Sequence, residues 1–456
     1  MEKFFLLILA TTNLTNAQWF WQNPLPQENS SIQYYFEGQD TIWMKDLGAI
    51  SQNNKDKQLF VKIFDNVMFS ENRFWQDDHM YQNMDVTDSI CSLVFQAWHG
   101  QTAPNTGGGM LSPAAYSNPT TINSSGRIAF NSRVTGSLRN QGVFVADSSG
   151  IIYPIAIGCG DGGGSGDTTS LCGDPSPLGG TFSGIFTGTC FTPDINDSGD
   201  VLFFFEVNGG SSRRGLFLYR AATQQIVKVA AVGDPSPIGG IFNAVGPGSL
   251  NNNGKVVFLA MPIGTINSNI FMWDNGVLTK VAATGDPAPG GGTFSALGTE
   301  SFGFVDGTYI PIGPVPDIND SDQISFRAIV SGGITGRGII VRTGDVNEWY
   351  VKVPDNTPIG GTYFDFAAPS INSAGQIAFF AEYKPIPTFI NMGLFSGSPG
   401  NWRKVIASYD SIDGDQIKGL AFSRNPMQSI DAEGNVVFWA DTSDYEDSDR
   451  LMMGVC

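Results

Sequence analysis

The feature that most constrains this chain is a short motif that occurs six times: an apolar residue followed by Asn-x-x-Gly-x-apolar-x-Phe. Its copies occupy residues 122–130, 195–203, 250–258, 318–326, 371–379 and 430–438. The fourth copy has Asp322 in place of Gly, and the sixth has Asp431 in place of the first Asn. Internal repeats fold as similar units that bury their apolar faces against one another, so the motif predicts a modular architecture.

Each copy of the motif predicts a turn that leads into a strand. Asn tolerates left-handed backbone geometry and caps amides with its side chain, and Gly supplies a positive φ. The apolar residues before Phe alternate, which predicts a strand with one buried face. We therefore predict a structural role for the repeated residues Asn123, Gly126, Phe130, Gly199, Phe203, Asn251, Gly254, Phe258, Phe326, Asn372, Gly375, Phe379, Gly434 and Phe438.

A second motif, Gly-Asp-Pro-x-Pro-x-Gly-Gly, precedes the central copies. It occurs at residues 173–182, 233–242 and 285–294, with a degenerate form at 355–364. Proline lacks an amide donor and is confined to strand edges and loops, so this segment predicts a rigid connection. Its repeated acids Asp174, Asp234 and Asp286 either cap their own turns or form a ring of carboxylates at one face or in a central channel.

Pairs of apolar strands lie between the two motifs, so each unit holds three or four short strands, as a propeller blade does. We predict an all-β, β-propeller-like fold with about seven blades (six to eight) of antiparallel strands. The repeats begin and end in mid-unit, so residues 92–98 are expected to supply the outer strand of the last unit. This clasp would bring Cys91 and Cys456 together, and we predict a disulfide between them.

The N-terminus has the order of a signal peptide. Lys3 precedes the apolar run 4–10, and the small residues Thr15 and Ala17 form a plausible cleavage site before Gln18. The alternative is a buried N-terminal strand. We expect a signal peptide over 1–17, an N-terminal blade or cap over 18–91 and the tandem repeats over 92–456, in a protein that is secreted or held in the periplasm or at the cell surface.

Composition narrows the possible partners. The chain has 43 acidic and 25 basic residues and a net charge of −18, and the basic residues form no run, so nucleic acid is not expected as a ligand. No apolar segment is long enough for a transmembrane span, and we expect a monomer.

The chain has five Cys. Cys159 and Cys172 flank a Gly-rich insertion that a disulfide could close; reduced, buried cysteines are the alternative.

One pair of turns partly resembles a calcium-binding loop. Oxygen-bearing residues alternate before the glycine position: Asp194, Asn196, Ser198 and Asp200 in one copy, Asp317 and Asn319 in another. The glutamate expected at the twelfth position is absent, and a structural hairpin turn explains the same residues. Only two His occur, which excludes multi-histidine metal sites. We assign no metal firmly and no cofactor apart from possible Ca²⁺.

The two motifs together resemble the bacterial tandem-repeat proteins named for the Asn-x-x-Gly-x-Val-Ala-Phe motif, whose members carry varied anchors. The resemblance covers residues 92–440 and implies a propeller-like extracellular protein with no established enzymatic activity. We recognise no C-terminal anchor signal in this sequence, so attachment to a surface is not expected from the resemblance alone. Residues 19–48, with a Gln-Asn-Pro-Leu-Pro-Gln lead-in, are similar to the opening blade of secreted propellers that resemble the photosystem assembly factor.

The sequence therefore favours a non-catalytic binding or scaffold protein whose variable loops, such as 159–172 and 299–314, contact an extracellular protein or glycan. No catalytic residue is assigned. The alternative is a secreted hydrolase or lyase that acts on polysaccharide through channel carboxylates. Asymmetric acids that converge at one channel mouth would favour the enzyme, and evenly repeated acids would not.

Overall fold

The computed structural model describes the following residues: the strand segments 4–9, 18–23, 33–35, 41–43, 60–61 and 69–70, then 97, 100–112, 121–160, 172–184, 192–265, 267–297, 302–305, 308–311, 315–333, 336–412, 415–417, 419–420, 428–441 and 451–453. These residues are all-β and contain no helix. Accordingly, no helix in the described part could cross a membrane.

The N-terminal strands form two small sheets. Strands β1 (Phe4–Leu9), β2 (Gln18–Asn23) and β5 (Phe60–Val61) pair in the order β2-β1-β5, and β3 (Gln33–Tyr35) pairs with β4 (Thr41–Trp43). The remaining strand of this region, β6 (Phe69–Ser70), joins the last sheet of the chain. The signal peptide and the seventh blade stay predictions.

The six motif copies build six antiparallel sheets, which we number in chain order. Sheet 1 comprises β7 (Met110–Ser112), β8 (Thr121–Ile122), β9 (Ile128–Thr135), β10 (Gln141–Ala146) and β11 (Ile152–Gly158). Sheet 2 comprises β12 (Thr181–Phe182), β13 (Asp194–Ile195), β14 (Val201–Asn208), β15 (Arg214–Arg220) and β16 (Gln225–Ala231). Sheet 3 comprises β17 (Phe242–Leu250), β18 (Val256–Pro262), β19 (Asn269–Asp274) and β20 (Val277–Ala282).

Sheet 4 comprises β21 (Thr293–Leu297), β24 (Asp317–Ile318), β25 (Ile324–Ser331), β26 (Arg337–Thr343) and β27 (Val346–Lys352). The hairpin of β22 (Phe302–Val305) and β23 (Thr308–Pro311) interrupts its first strand, and β23 lies against β17 of sheet 3. Sheet 5 comprises β28 (Thr362–Ile371), β29 (Ile377–Ile386), β30 (Phe389–Ser398) and β31 (Asn401–Ala407), and the short pair β32 (Ser411–Ile412) and β33 (Asp415–Gln416) follows it.

Sheet 6 joins the two ends of the chain. It comprises β34 (Gly419–Leu420), β35 (Gln428–Ile430), β36 (Val436–Asp441) and β37 (Leu451–Met453), and its fourth position is occupied by β6. Met452 pairs with Phe69, and Leu451 pairs with Ser70. The ends therefore pair, as the sequence predicts, but through residues 69–70. The segment predicted for this place, 92–98, lies outside the described residues except for Ala97.

The strands of each sheet follow one another from the inside outwards, which is the order of a propeller blade. The Asn-x-x-Gly turn joins the first strand to the second, and the Gly-Asp-Pro loop joins the fourth strand to the first strand of the next sheet. Because antiparallel strands alternate in direction, the two connections lie on opposite faces. We call these the turn face and the loop face. The fold is thus β-propeller-like.

A recurring set of aromatic rings holds neighbouring sheets together. In sheet 3, Phe242 and Phe258 both contact Phe271, with ring centroids 5.0 and 6.0 Å apart. The same set occurs in sheet 2 as Phe182, Phe203 and Phe217 and in sheet 5 as Tyr363, Phe379 and Phe395. The set of sheet 3 packs against Leu216 and Leu218 of sheet 2, so each repeated Phe fills the space between two sheets.

The turn glycines adopt the conformation that the sequence predicts. Gly126, Gly199, Gly254, Gly375 and Gly434 have φ between 74° and 88°. In the fourth copy, Asp322 takes the same conformation with φ of 60°. Asp is among the few residues with a side chain that visit this region readily, which explains why the substitution is compatible with the turn.

Truncation of one repeated ring tests the role of these aromatic sets. Phe258 is fully buried, and Phe258→Ala is expected to lower the free energy of unfolding by about 3–5 kcal/mol because it leaves a cavity between sheets 2 and 3. Val277, on the exposed start of β20, provides a control whose Ala variant should change stability by less than about 0.5 kcal/mol. Urea unfolding followed by Trp fluorescence measures both; equal losses would contradict the assignment.

Candidate functional site at the inner strands

The repeated Asn uses its side-chain oxygen to close its own turn. In the third copy, Asn251 Oδ1 accepts a hydrogen bond of 2.9 Å from the N–H of Lys255, four residues on. Asn123, Asn196, Asn319 and Asn372 make the same contact at 2.9–3.0 Å. Asp431 of the last copy also makes it, since a carboxylate oxygen accepts as well as an amide oxygen does.

The side-chain nitrogen of the same Asn reaches the next repeat. Asn251 Nδ2 donates to the backbone carbonyl of Asn319 at 3.0 Å. The series is continuous from sheet 1 to sheet 6: Asn123 to Asn196, Asn196 to Asn251, Asn251 to Asn319, Asn319 to Asn372, and Asn372 to Asp431. We call this series the asparagine ladder. All of its members are buried.

The ladder explains why the motif requires Asn at this position. The amide of Asn carries its acceptor and its donor on two different atoms, so Oδ1 can close its own turn while Nδ2 reaches the next repeat. The ladder runs in one direction and ends at Asp431. A carboxylate side chain accepts hydrogen bonds but does not donate them, so Asp431 cannot continue the series. The substitution of Asp for Asn therefore occurs at the last sheet, where the two ends of the chain meet.

The predicted calcium loop does not gather its oxygens at one point. Asp200 accepts hydrogen bonds from Arg220 Nη1 and from the N–H of Ala221, each at 2.8 Å. Asn196 belongs to the ladder, Ser198 is exposed, and Asp194 Oδ2 instead accepts from the N–H of Leu250 at 2.8 Å. These contacts point in different directions and favour the structural turn. No group of three or more His, Cys, Asp or Glu suited to a metal occurs among the described residues.

The aspartates of the Gly-Asp-Pro loops cap their own turns and pair with basic side chains. Asp234 accepts from the N–H of Ala231 at 2.8 Å and from Lys228 Nζ at 2.7 Å. Asp286, Asp355 and Asp410 repeat this arrangement, with Lys280, Lys352 and Lys404 as the respective partners. Asp174 instead accepts from the N–H of Ile157, seventeen residues earlier in the chain, at 2.9 Å and pairs with Arg139. Each negative charge is therefore compensated locally, on the loop face. Turn caps are one of the two arrangements that the sequence left open, and the basic partners were not foreseen.

A further charged cluster lies between sheets 4 and 5. Asp365 accepts from Arg327 Nη2 at 2.9 Å and from Arg337 Nη1 at 2.8 Å. Burial raises the pKa of the neighbouring Glu382, and the negative charge of Asp365 adds to this rise. Two guanidinium groups face two carboxyl groups, so this cluster is also balanced.

Asp194 and Asp317 lack such compensation. They occupy the same position, two residues before the ladder Asn, in sheets 2 and 4. Each binds a backbone N–H of the following sheet: Asp194 that of Leu250, and Asp317 that of Ile371 at 2.9 Å. Ser249, at this position in sheet 3, donates to Asp317 Oδ1 at 2.6 Å. Among the described residues, no ion pair joins either carboxyl to Lys or Arg.

The electrostatics of this pair reflect the missing positive charge. Burial raises the pKa of the Asp194 carboxyl to about 7, the negative charge of Asp317 adds to the rise, and the N–H groups of Leu250 and Ile195 oppose it. Burial also raises the pKa of Asp317, against hydrogen bonds from Ser249, Ile371 and Ile318. Both residues keep some accessible surface although protein surrounds their carboxyls.

Sequence reasoning named Asp194 and Asp317 but not their convergence. Two features of the sequence distinguish both residues. Each follows a Pro, and each comes at the end of a segment between the Gly-Asp-Pro loop and the Asn-x-x-Gly turn that is longer than in sheets 3 and 5.

The remaining predictions have different outcomes. Cys159 and Cys172 are joined by a disulfide with Cα atoms 5.7 Å apart. Cys91, Cys456, His79 and His99 lie outside the described residues.

The comparison with known families gives one match. A model described as a family of unknown function, DUF7453, matches residues 162–332 and again residues 296–453, which together make up more than half of the chain. The chain belongs to the DUF7453 family. The family model matches the chain twice, as expected for a sequence with internal repeats. A search of curated proteins found no match.

Several solved structures are similar to this DUF7453 chain. An oligogalacturonate lyase from Vibrio parahaemolyticus shares 12% identity over 78% of this chain and 89% of its own, with a TM-score of 0.38. A gluconolactonase from Xanthomonas campestris shares 9% identity over 77% and 91%, with a TM-score of 0.33. The β-propeller domain of the Trilobed protease from Pyrococcus furiosus shares 10% identity over 77% and 93%, with a TM-score of 0.32.

One prediction concerns the donor half of the ladder. Asn251→Asp keeps the oxygen that closes the turn but removes the donor to the Asn319 carbonyl and to Asp322 Oδ1, so we expect the free energy of unfolding to fall by about 1–3 kcal/mol. Asn253 lies in the same turn and donates to the carbonyl of Asp320 at 2.8 Å, but it is exposed. Asn253→Asp is therefore a matched control and should cost less, because water replaces the lost bond. Urea unfolding compares the two variants, and an equal cost would disprove the role of the buried donor.

A second prediction concerns pH. Asp194 has a pKa of about 7 when folded and 3.8 as an ordinary Asp, so between these pH values the folded protein holds a proton that the unfolded chain has released. The stability that this group contributes is present below about pH 4 and is lost as the pH rises through 7. Wild type in chelator should therefore lose more unfolding free energy between pH 5 and 8 than Asp194→Asn does. Asp197→Asn, at an exposed turn position, should behave as wild type; identical pH profiles for all three would contradict the assignment.

Proposed function

We propose that this protein is a secreted or surface-held, non-catalytic propeller-like scaffold that binds another extracellular protein through its loop face. The observation that carries the proposal is the distribution of exposed apolar side chains. Most of the large ones lie on the loop face: Met110, Leu138, Ile238, Ile241, Ile263, Ile359, Ile386, Phe389, Ile390 and Tyr409. Exposed apolar surface of this kind marks interaction sites.

The hairpin of sheet 5 concentrates this surface. Strands β29 and β30 extend beyond the corresponding strands of the other sheets, and the extension exposes Ile386, Phe389 and Ile390 by 57%, 47% and 46%. Ile359, in the adjoining connection, is exposed as well. The exposed set is mainly aliphatic, whereas sugar rings are bound by stacking on aromatic side chains. This composition supports a protein partner over a glycan.

The repeated polar residues stabilise the fold, which leaves them unavailable for catalysis and also supports a scaffold. The ladder Asn residues hold the turns together, and the loop aspartates cap their own turns beside Lys or Arg. The rigid sheets then carry connections that differ between repeats, which is the usual arrangement for recognition. The resemblance to extracellular repeat proteins and the signal-peptide pattern support an exported location.

The binding proposal is tested with two triple variants. Ile386→Ser, Phe389→Ser and Ile390→Ser remove the apolar side chains of the hairpin, and Ile151→Ser, Val277→Ser and Val346→Ser remove three exposed ones on the turn face as a control. Each immobilised variant is incubated with secreted proteins of the source organism, and captured proteins are identified and purified. We expect a saturable partner that the control retains and the hairpin variant binds at least tenfold more weakly. Equal binding to both would refute the loop-face site.

A second candidate function is supported by the Asp194–Asp317 pair. Glycoside cleavage requires a pair of carboxyls, one protonated to act as the general acid and one ionised to act as base or nucleophile, and Asp194 and Asp317 would supply such a pair. A panel of acidic and neutral polysaccharides, assayed for reducing ends and for unsaturated products, tests this alternative. Turnover that is abolished in both Asp194→Asn and Asp317→Asn would replace the scaffold proposal with an enzyme.

A further inference from the structure

The Asp194–Asp317 pair differs from the loop aspartates, Asp200 and Asp365, because among the described residues no ion pair joins it to Lys or Arg. A Lys or Arg nitrogen lies 3.0 Å or less from a carboxylate oxygen of each loop aspartate, of Asp200 and of Asp365. Asp194 and Asp317 have no such partner in the described part of the chain. The two carboxyls reach adjacent residues of sheet 3: Asp317 accepts from the hydroxyl of Ser249, and Asp194 accepts from the N–H of Leu250. Two enclosed carboxyls without a cationic side chain require either a proton or a bound cation to be stable.

An independent observation at the same place points to a ligand. Ser325 lies directly opposite Asp317 across the β24–β25 pair. Cross-strand partners project to the same side of a sheet with Cβ atoms about 5 Å apart. Ser325 is 0% exposed, yet its hydroxyl has no hydrogen-bond partner. A buried hydroxyl is normally satisfied, so this one is available to bind a ligand on the Asp317 side of the sheet.

The donors around this point are all oxygens. Asp317 and Asp194 supply carboxylates, Ser249 already contacts Asp317 at 2.6 Å, and Ser325 supplies a free hydroxyl. Ser370 occupies the position of Asp317 in sheet 5. It is 6% exposed, and its hydroxyl also has no hydrogen-bond partner. Oxygen-only donor sets select hard cations, and Ca²⁺ accepts irregular coordination that water completes.

We propose that Asp317, Asp194, Ser249 and Ser325 form a binding site for one hard divalent cation, Ca²⁺, at the inner strands of sheets 2 to 4. This site differs from the calcium loop that the turn sequence suggested, because its ligands come from three sheets and not from one turn. The cation would neutralise the uncompensated charge and join these sheets close to the ladder. The inference goes beyond the binding function proposed above and does not depend on it.

The test measures calcium binding by the full chain after chelation. Isothermal titration with CaCl₂ at pH 7.5 is expected to show one saturable site, with weaker binding of MgCl₂ and none of NaCl. Asp317→Asn and Asp194→Asn should each weaken binding at least tenfold. Asp320→Asn removes a carboxylate from the exposed part of the same turn and should leave the affinity unchanged. No saturable heat in wild type, or equal affinity in all variants, would overturn the proposal.

Ser325→Ala keeps the test decisive if the Asn variants fail to fold. Its hydroxyl has no partner, so in chelator the variant should melt at the wild-type temperature or above it. In calcium, wild type should gain thermal stability and the variant should gain less, with an affinity reduced several-fold. A residue that serves packing alone would change the melting temperature equally in both conditions, and that result would refute the site. A failed calcium test leaves the loop-face binding experiment unaffected.

Discussion

The buried asparagine of each turn is the interaction on which the rest of the structure depends. One side chain closes the turn between the first two strands of its own sheet and binds the backbone of the next sheet. The position of every inner strand is therefore tied to that of its neighbour, from Asn123 through to Asp431. A buried amide with both ends satisfied is stabilising, but an unsatisfied one is costly, so the ladder specifies one arrangement of the sheets.

The aromatic sets add the nonpolar part of the same connection. Rings such as Phe242, Phe258 and Phe271 fill the space against the preceding sheet. Their burial provides most of the favourable free energy, and it is not directional. The ladder supplies the direction. The two together explain why Asn and Phe occupy fixed positions in one motif, with a turn glycine between them.

The departures from repetition lie where function is expected. Asp194 and Asp317 break the pattern at a position that carries Ser or Thr in the other sheets, and the sheet 5 hairpin breaks the pattern of connection lengths. The first places uncompensated charge at the inner strands, and the second places apolar surface on the loop face. Repeated residues such as Asp234 and Asp286 serve the fold, as their neutralising Lys partners demonstrate.

Much of this protein follows from local sequence: the all-β class, the turns at Asn-x-x-Gly and the Gly-Asp-Pro caps. These features depend on residues close in sequence, such as Asn251 with Lys255, where spacing alone determines the hydrogen bond. The sequence could not place Asp194 beside Asp317 or leave Ser325 unpartnered next to them. It also assigned the clasp to 92–98, whereas β6 at 69–70 takes that position. These relations join residues far apart in the chain, and only the packing of one sheet against the next determines which of them meet.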